Sequence, residues 1–235
     1  MTNNESCVFG SIDRERVKGL LFDVDGTLSD TDDQMTDSVT RFLKPVSWLF
    51  KNRDAHKFAR WFVTGVETPV NFLYSLADKL NIDGPLIRLH QKLTQKKKTK
   101  PTEHEPFLII QGVAAMLEEL NKKFPLAVVS SRDGRTTQEF LEHFNLQSYF
   151  PVVVTSQTCQ RTKPSPEPIH YAADKLGLKA EECLMIGDTI MDIHAGKSAG
   201  AQTVGVLCGF GIQKELIRAG ADLLLSSTSD LIHFL

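Results

Sequence analysis

The stretch VKGLLFDVDGTL, residues 17–28, decides the fold. Val17 to Phe22 is largely apolar and runs straight into Asp23, with Asp25 two residues later. A short apolar run without alternation marks a strand buried on both faces, and so a parallel sheet with helices on each side. Similar runs follow at Leu126 to Ser130, Pro151 to Thr155, Cys183 to Gly187, Ala201 to Val206 and Asp222 to Leu225. Helix-like segments separate them: Val113 to Lys123, Arg135 to Phe144, Pro166 to Leu176, Ile190 to Ala199 and Gln213 to Ala219. This alternation predicts an α/β fold with a doubly wound parallel sheet.

One stretch breaks the pattern. From about Asp33 to Lys100 the apolar residues fall at helical spacing (Phe42, Val46, Leu49, Phe50; Phe58, Phe62; Val70, Leu73, Leu76, Leu80). The expected organisation is a core of 1–32 and 104–235 with a helical lid, 33–103, inserted between the first of these strands and its partner. An insertion at the carboxyl end of a strand sits over the binding crevice of an open α/β sheet. The lid ends in KLTQKKKTK, 92–100, with five lysines in nine residues; this reads as a solvated helix end and hinge, or as an attractor of anions.

Four segments carry chemistry. At the end of the first, Asp23 and Asp25 share one side if the strand stays regular, and Gly26 turns the chain. Two such carboxylates can hold a cation or divide nucleophile and acid/base roles; the plain alternative is an Asx-type turn. In the second, CLMIGDTIMDIHAGKSAG (183–200), another apolar strand ends in Asp188, with Asp192 one helical turn on. Alternatives are a helix N-cap for Asp188 and a first-turn acid on the helix dipole for Asp192. Two acid-tipped parallel strands would place these groups in one cluster, whose self-repulsion calls for a cation. All-oxygen ligation suggests Mg²⁺. In the third, LAVVSSRDG (126–134), Ser130 and Ser131 at a strand–helix turn suit a phosphate, or an N-cap. In the fourth, RTKPSPEPI (161–169), prolines pin Lys163, which is otherwise a surface lysine before a proline-initiated helix.

The 235-residue chain has 27 Lys plus Arg against 29 Asp plus Glu, a net charge of −2, and this excludes a globally basic nucleic-acid binder. No window supplies the roughly 18 uninterrupted apolar residues of a membrane span. The polar N-terminal stretch lacks the apolar core of a secretory signal, and the four cysteines are not at zinc or dithiol spacing. A cytoplasmic protein with free thiols is expected, with Cys183 and Cys208 as packing residues.

Together these four segments resemble the haloacid dehalogenase-like superfamily of phosphotransferases and phosphohydrolases. The likeness covers DxDGTL, the motif serine, KPxPEP and GDxxxD in order, and spans Val17 to Phe234. QGV (111–113), GFG (209–211) and AGAD (219–222) are similar to the phosphoglycolate phosphatase and β-phosphoglucomutase branch. The resemblance implies a Rossmann-like core with a helical cap. It implies Asp23 as the nucleophile that becomes an aspartyl phosphate, and Asp25 as the general acid/base, which offers its backbone carbonyl to the metal. Ser130 would hold the transferring phosphoryl group, with Gly26 and Ser131 beside it, and Lys163 would neutralise nucleophile and phosphate. Asp188 and Asp192 would complete the metal site with Asp23 and Asp25. Dehalogenases of this fold lack the second aspartate, so Asp25 favours phosphoryl transfer. Arg132 and Asp133 depart from the pair that related phosphatases often carry after the serines. WFVTGVETP (61–69) matches the specificity loop loosely, leaving Arg60 and Glu67 as candidate substrate contacts or solvated surface residues.

The implied function is a Mg²⁺-dependent phosphatase of a small phosphorylated metabolite, monomer or homodimer, with no nucleic-acid or membrane partner. A phosphomutase would share every core residue, and a non-catalytic phosphate-binding regulator would share the pocket.

Overall fold

The computed structural model describes residues 7–30 and 107–235. The expected lid, with Arg60, Glu67 and the lysines of 92–100, lies outside the described residues.

Among the described residues, seven strands form one sheet: β1 (Cys7–Gly10), β2 (Gly19–Phe22), β3 (Leu126–Val129), β4 (Val152–Val154), β5 (Cys183–Gly187), β6 (Gln202–Val206) and β7 (Leu223–Leu225). Their order is β1-β7-β6-β5-β2-β3-β4. All pairings are parallel except β1 with β7. The sheet is parallel-dominated as expected; the antiparallel edge strand β1 was not among the runs read from the sequence. Its four residues are too short a run to stand out. It is held instead by backbone pairing, continued where Ser11 N–H donates to Asp222 O at 2.9 Å.

Why the core strands lack alternation is visible in the packing. The pleat sends Leu20, Phe22, Leu126, Val128, Leu184 and Ile186 to one face, and Leu21, Ala127, Val129, Cys183 and Met185 to the other. Both faces are covered. Helices α1 (Val113–Leu120) and α2 (Gly134–His143) bring Val113, Met116, Leu117, Leu120, Phe140 and Leu141 to the first. Helices α3 (Glu167–Lys175) and α4 (Ile190–Ser198) bring Ile169, Ala172, Ala173 and Ala195 to the second. The small residues allow close approach there: a Cβ on Gly196 of α4 would stand 2.5 Å from Thr203 Cγ2 on β6. Helix α5 (Gln213–Ala219) adds Leu216, packed with Ile193 and Leu224. Cys183 is buried and Cys208 packs at the core margin; both are free thiols. No helix among the described residues is long and apolar enough to cross a membrane.

From β2 the chain winds outward through β3 to β4, then returns to β5 on the other side of β2 and winds outward through β6 to β7. The direction reverses between β2 and β5, which is where an open α/β sheet opens its crevice at the strands' carboxyl ends. The chain on either side of 31–106 meets here: Ile110 N–H donates to Leu28 O and Asp30 N–H to Leu108 O, each at 3.0 Å, flanking an antiparallel bridge between Ser29 and Ile109.

Candidate active site

Asp23 extends the sheet ladder by one step, its N–H donating to Ile186 O at 2.9 Å. The strand then ends. Leu28 and Ser29 both donate backbone N–H to Val24 O, at 2.9 and 2.8 Å, closing a tight turn with Gly26 at φ 70°. The regular spacing that would align Asp23 with Asp25 is therefore broken. Asp23 is buried and faces Lys163, whereas the Asp25 carboxylate is half-buried and faces Arg132.

Lys163 is buried, so the surface-lysine alternative does not hold. Its Nζ donates to Asp192 Oδ1 at 2.6 Å and to Val129 O at 2.9 Å. It also lies 2.8 Å from Asp23 Oδ1, off hydrogen-bond geometry, which leaves that buried oxygen without a donor. Three motifs remote in sequence thus converge on one ammonium.

Asp188 and Asp192 are fully buried. Asp188 is not the N-cap of α4; that position belongs to Thr189. The Asp188 carboxylate turns instead to the crevice. Its Oδ2 accepts from Phe210 N–H at 2.8 Å and its Oδ1 from Thr27 Oγ at 3.4 Å. Backbone encloses it: a Cβ on Gly26 would stand 2.2 Å from Asp188 Oδ2, and one on Gly209 2.4 Å from the same oxygen. Asp192 lies in the first turn of α4, where the helix-dipole alternative put it, and it also reaches Lys163, which was not foreseen. Its Oδ2 accepts from Thr189 N–H and Oγ at 3.0 and 2.7 Å, closing a capping box, while its Oδ1 holds Lys163.

Asp23, Asp188 and Asp192 form the candidate metal-binding group among the described residues, with one oxygen of each within 4.8 Å of the others. The Asp25 carboxylate is not part of it. Burial, and then the like charges of Asp192 and Asp25, raise the Asp23 pKa to about 7 against the pull of Lys163. Asp188 is raised well above the usual carboxylate range by burial, with Asp192 and Asp23 adding to it. For Lys163 burial acts downward, but the carboxylates of Asp192 and Asp23 outweigh it and the net shift is upward. With all three carboxylates ionised, one ammonium would leave an excess of two negative charges, and burying that excess without a cation is what makes Asp23 and Asp188 hold their protons. The unsatisfied Asp23 oxygen, the all-oxygen donors and that excess fit a hard divalent cation such as Mg²⁺.

At the end of β3, Ser130 is buried and its Oγ accepts from Arg132 N–H at 3.1 Å, which leaves the hydroxyl proton for an incoming oxygen. Ser130 is not the helix cap. Asp133 caps α2, accepting from Arg135 and Thr136 N–H, both at 3.1 Å. Ser131 is exposed. Arg132 reaches across to Asp25: Nε donates to Oδ2 at 3.2 Å and Nη2 to Oδ1.

Sequence reasoning missed Thr27, Thr189 and Phe210, whose contributions are a turn hydroxyl and backbone N–H groups. It noted Arg132 only as a departure and the 209–211 glycines only as part of a resemblance. A strand-end arginine two residues after a buried serine was the one available signal.

The chain matches the haloacid dehalogenase-like hydrolase family over residues 20–206. It is 30% identical over 224 residues to the pyrophosphatase PpaX of Bacillus velezensis, covering 93% of this chain and 96% of that protein. It is 26% identical over 237 residues to the phosphoglycolate phosphatase of Shigella boydii, covering 93% and 92%. Among solved structures, a "predicted phosphatase" from Clostridium acetobutylicum superposes with a TM-score of 0.65 at 26% identity, covering 92% of this chain and 97% of that one.

Proposed function

Since the chain belongs to the haloacid dehalogenase-like hydrolases and acts on phosphate esters, we propose that it is a Mg²⁺-dependent phosphatase of small metabolites that carries the phosphoryl group on Asp23. The observation that supports this best is the convergence of Asp23, Asp188, Asp192 and Lys163 in one buried cluster at the topological switch point.

In this reading an Asp23 carboxylate oxygen attacks phosphorus. The bond from phosphorus to the leaving oxygen breaks, and that oxygen takes a proton from Asp25. Water then attacks the aspartyl phosphate, Asp25 accepts its proton, and inorganic phosphate leaves as the Asp23 carboxylate is restored. Lys163 offsets the repulsion between carboxylate and phosphate, and Asp192 holds Lys163 in place. Ser130 donates its hydroxyl proton to a phosphoryl oxygen, with the Arg132 N–H as its fixed acceptor-side partner. Asp23, Asp188 and Asp192, with the Asp25 backbone carbonyl, would hold Mg²⁺, which when bound would neutralise charge on the phosphoryl oxygens. Residues 33–103 are assigned as the cap that selects the leaving group, supported by the pairing of Ser29 with Ile109 beside the site.

Pyrophosphate and phosphoglycolate both present a terminal phosphoryl group next to a second anionic group, and that pattern is the proposed substrate class. A panel of such compounds, sugar phosphates and an aryl phosphate, assayed with Mg²⁺ and with chelator, tests it. Metal-dependent release of inorganic phosphate is expected from the compounds that carry a second anionic group beside the phosphoryl group. Equal turnover in chelator contradicts the metal assignment. Interconversion of sugar phosphates without phosphate release would indicate a mutase.

A further inference from the structure

Arg132 uses two of its guanidinium nitrogens on one carboxylate. Nε and Nη2 each meet a different oxygen of Asp25, so the fork fixes the plane of the carboxylate as well as its place. The contact joins the turn after β2 to the loop after β3, 107 residues apart in sequence. The arginine side is the more enclosed, at 14% side-chain exposure against 35% for Asp25. Its guanidinium sits 5.8 Å from the ring centre of Phe140, a fully buried residue of α2. Its backbone N–H holds the Ser130 hydroxyl at the same time. The guanidinium is therefore held by the core, and the carboxylate is what it orients. A lysine there would supply charge without fixing the plane.

We propose that Arg132 is a positioning residue for Asp25, and that its whole contribution to rate runs through that carboxylate. The proposal rests on the phosphatase reading above, in which Asp25 moves protons to the leaving oxygen and from water. Without the fork the two oxygens of the carboxylate are no longer fixed together, and its plane can turn. Misplacement of about 1 Å in a reacting group costs on the order of 100-fold in rate.

The test compares Arg132→Met and Arg132→Lys, each in the native chain and with Asp25→Asn. Alkyl and aryl phosphates are the substrates; the readouts are kcat, KM and the rapid-quench rate of phosphoenzyme formation. In the native chain, Arg132→Met is expected to lower kcat about 10- to 100-fold. The loss should be larger for the alkyl phosphate, whose leaving oxygen needs the proton, with KM within about twofold of native; Arg132→Lys should recover only part of it. With Asp25→Asn, adding Arg132→Met should leave phosphoenzyme formation from the aryl phosphate unchanged within about twofold, because the group it positions is already disabled. Equal fold-losses in both backgrounds would overturn the proposal in favour of a structural role for the loop. A rise in KM exceeding the fall in kcat would overturn it in favour of a direct substrate contact. Neither of these results touches the phosphatase reading, which fails instead if the native chain never carries phosphate on Asp23.

Discussion

Replacing Lys163 by methionine keeps an unbranched side chain one atom shorter and removes its charge. Lys163 is 3% exposed, Asp192 0% and Asp23 9%, so water is not at hand to take over its part. Removing one partner of a buried ion pair costs about 3–5 kcal/mol, because the other charge is left uncompensated. At about 2–4 °C per kcal/mol for a chain of this size, the melting temperature falls by about 6–20 °C. The loss is also pH-dependent, and its sign follows from the carboxylates. Asp23 already titrates near 7 in the folded chain, with Lys163 among the groups holding it down, so its pKa rises further in the variant. An unfolded chain releases that proton near pH 4, so between there and the folded value the native state binds more protons and stability falls as pH rises. Lys163 itself has a raised folded pKa and stays charged in both states below its unfolded value of about 10.4, so its own titration adds nothing between pH 5.5 and 8 and the pH dependence of the deficit comes from Asp23. Thermal unfolding of both proteins in chelator at pH 5.5 and pH 8 reads this directly. The deficit should be larger at pH 8. A deficit below about 1 kcal/mol, or one equal at the two pH values, would refute the claim that this ammonium compensates buried charge.

Three further outcomes are expected. Asp25→Asn should slow alkyl phosphates far more than aryl phosphates, measured as the ratio of their kcat/KM values against native; an unchanged ratio would remove Asp25 as the general acid. Mg²⁺ should raise the melting temperature more at pH 8 than at pH 5.5, because Asp23 and Asp188, whose pKa values are raised by burial, must lose their protons to bind it. Gly209→Ala puts a Cβ 2.4 Å from Asp188 Oδ2 and 2.5 Å from Gly26 O, so it should cost about 1–3 kcal/mol of stability and weaken Mg²⁺ binding by calorimetry.

The legible parts of this chain were those where one physical constraint writes the sequence. Strands β2, β3 and β5 are apolar on both faces because helices cover both faces, and the two core clusters divide their residues alternately. Asp23 and Asp188 stood out as charges at the ends of apolar strands, where burial demands compensation, Asp192 as an acid one helical turn beyond Asp188, and Lys163 as a cation ahead of a run of prolines. The edge strand β1 was not legible because pairing through backbone leaves little mark on four residues. Nor was the separation of Asp23 from Asp25, because a turn centred on Val24 O, and not strand periodicity, sets the second carboxylate. Arg132 read as an oddity. Its role needs the distance from the end of β3 to the turn after β2, and a single sequence does not contain it.

The central claim is that Asp23 carries the phosphoryl group. The direct measurement is acid quench of the Asp25→Asn variant milliseconds after mixing with a phosphorus-labelled aryl phosphate and Mg²⁺, followed by peptide mapping. Label that is acid-stable, hydroxylamine-labile and confined to the peptide bearing Asp23 is the expected result, with none in Asp23→Asn. Turnover by the native chain, with no label in the Asp25→Asn variant or with label on any other residue, would contradict the account.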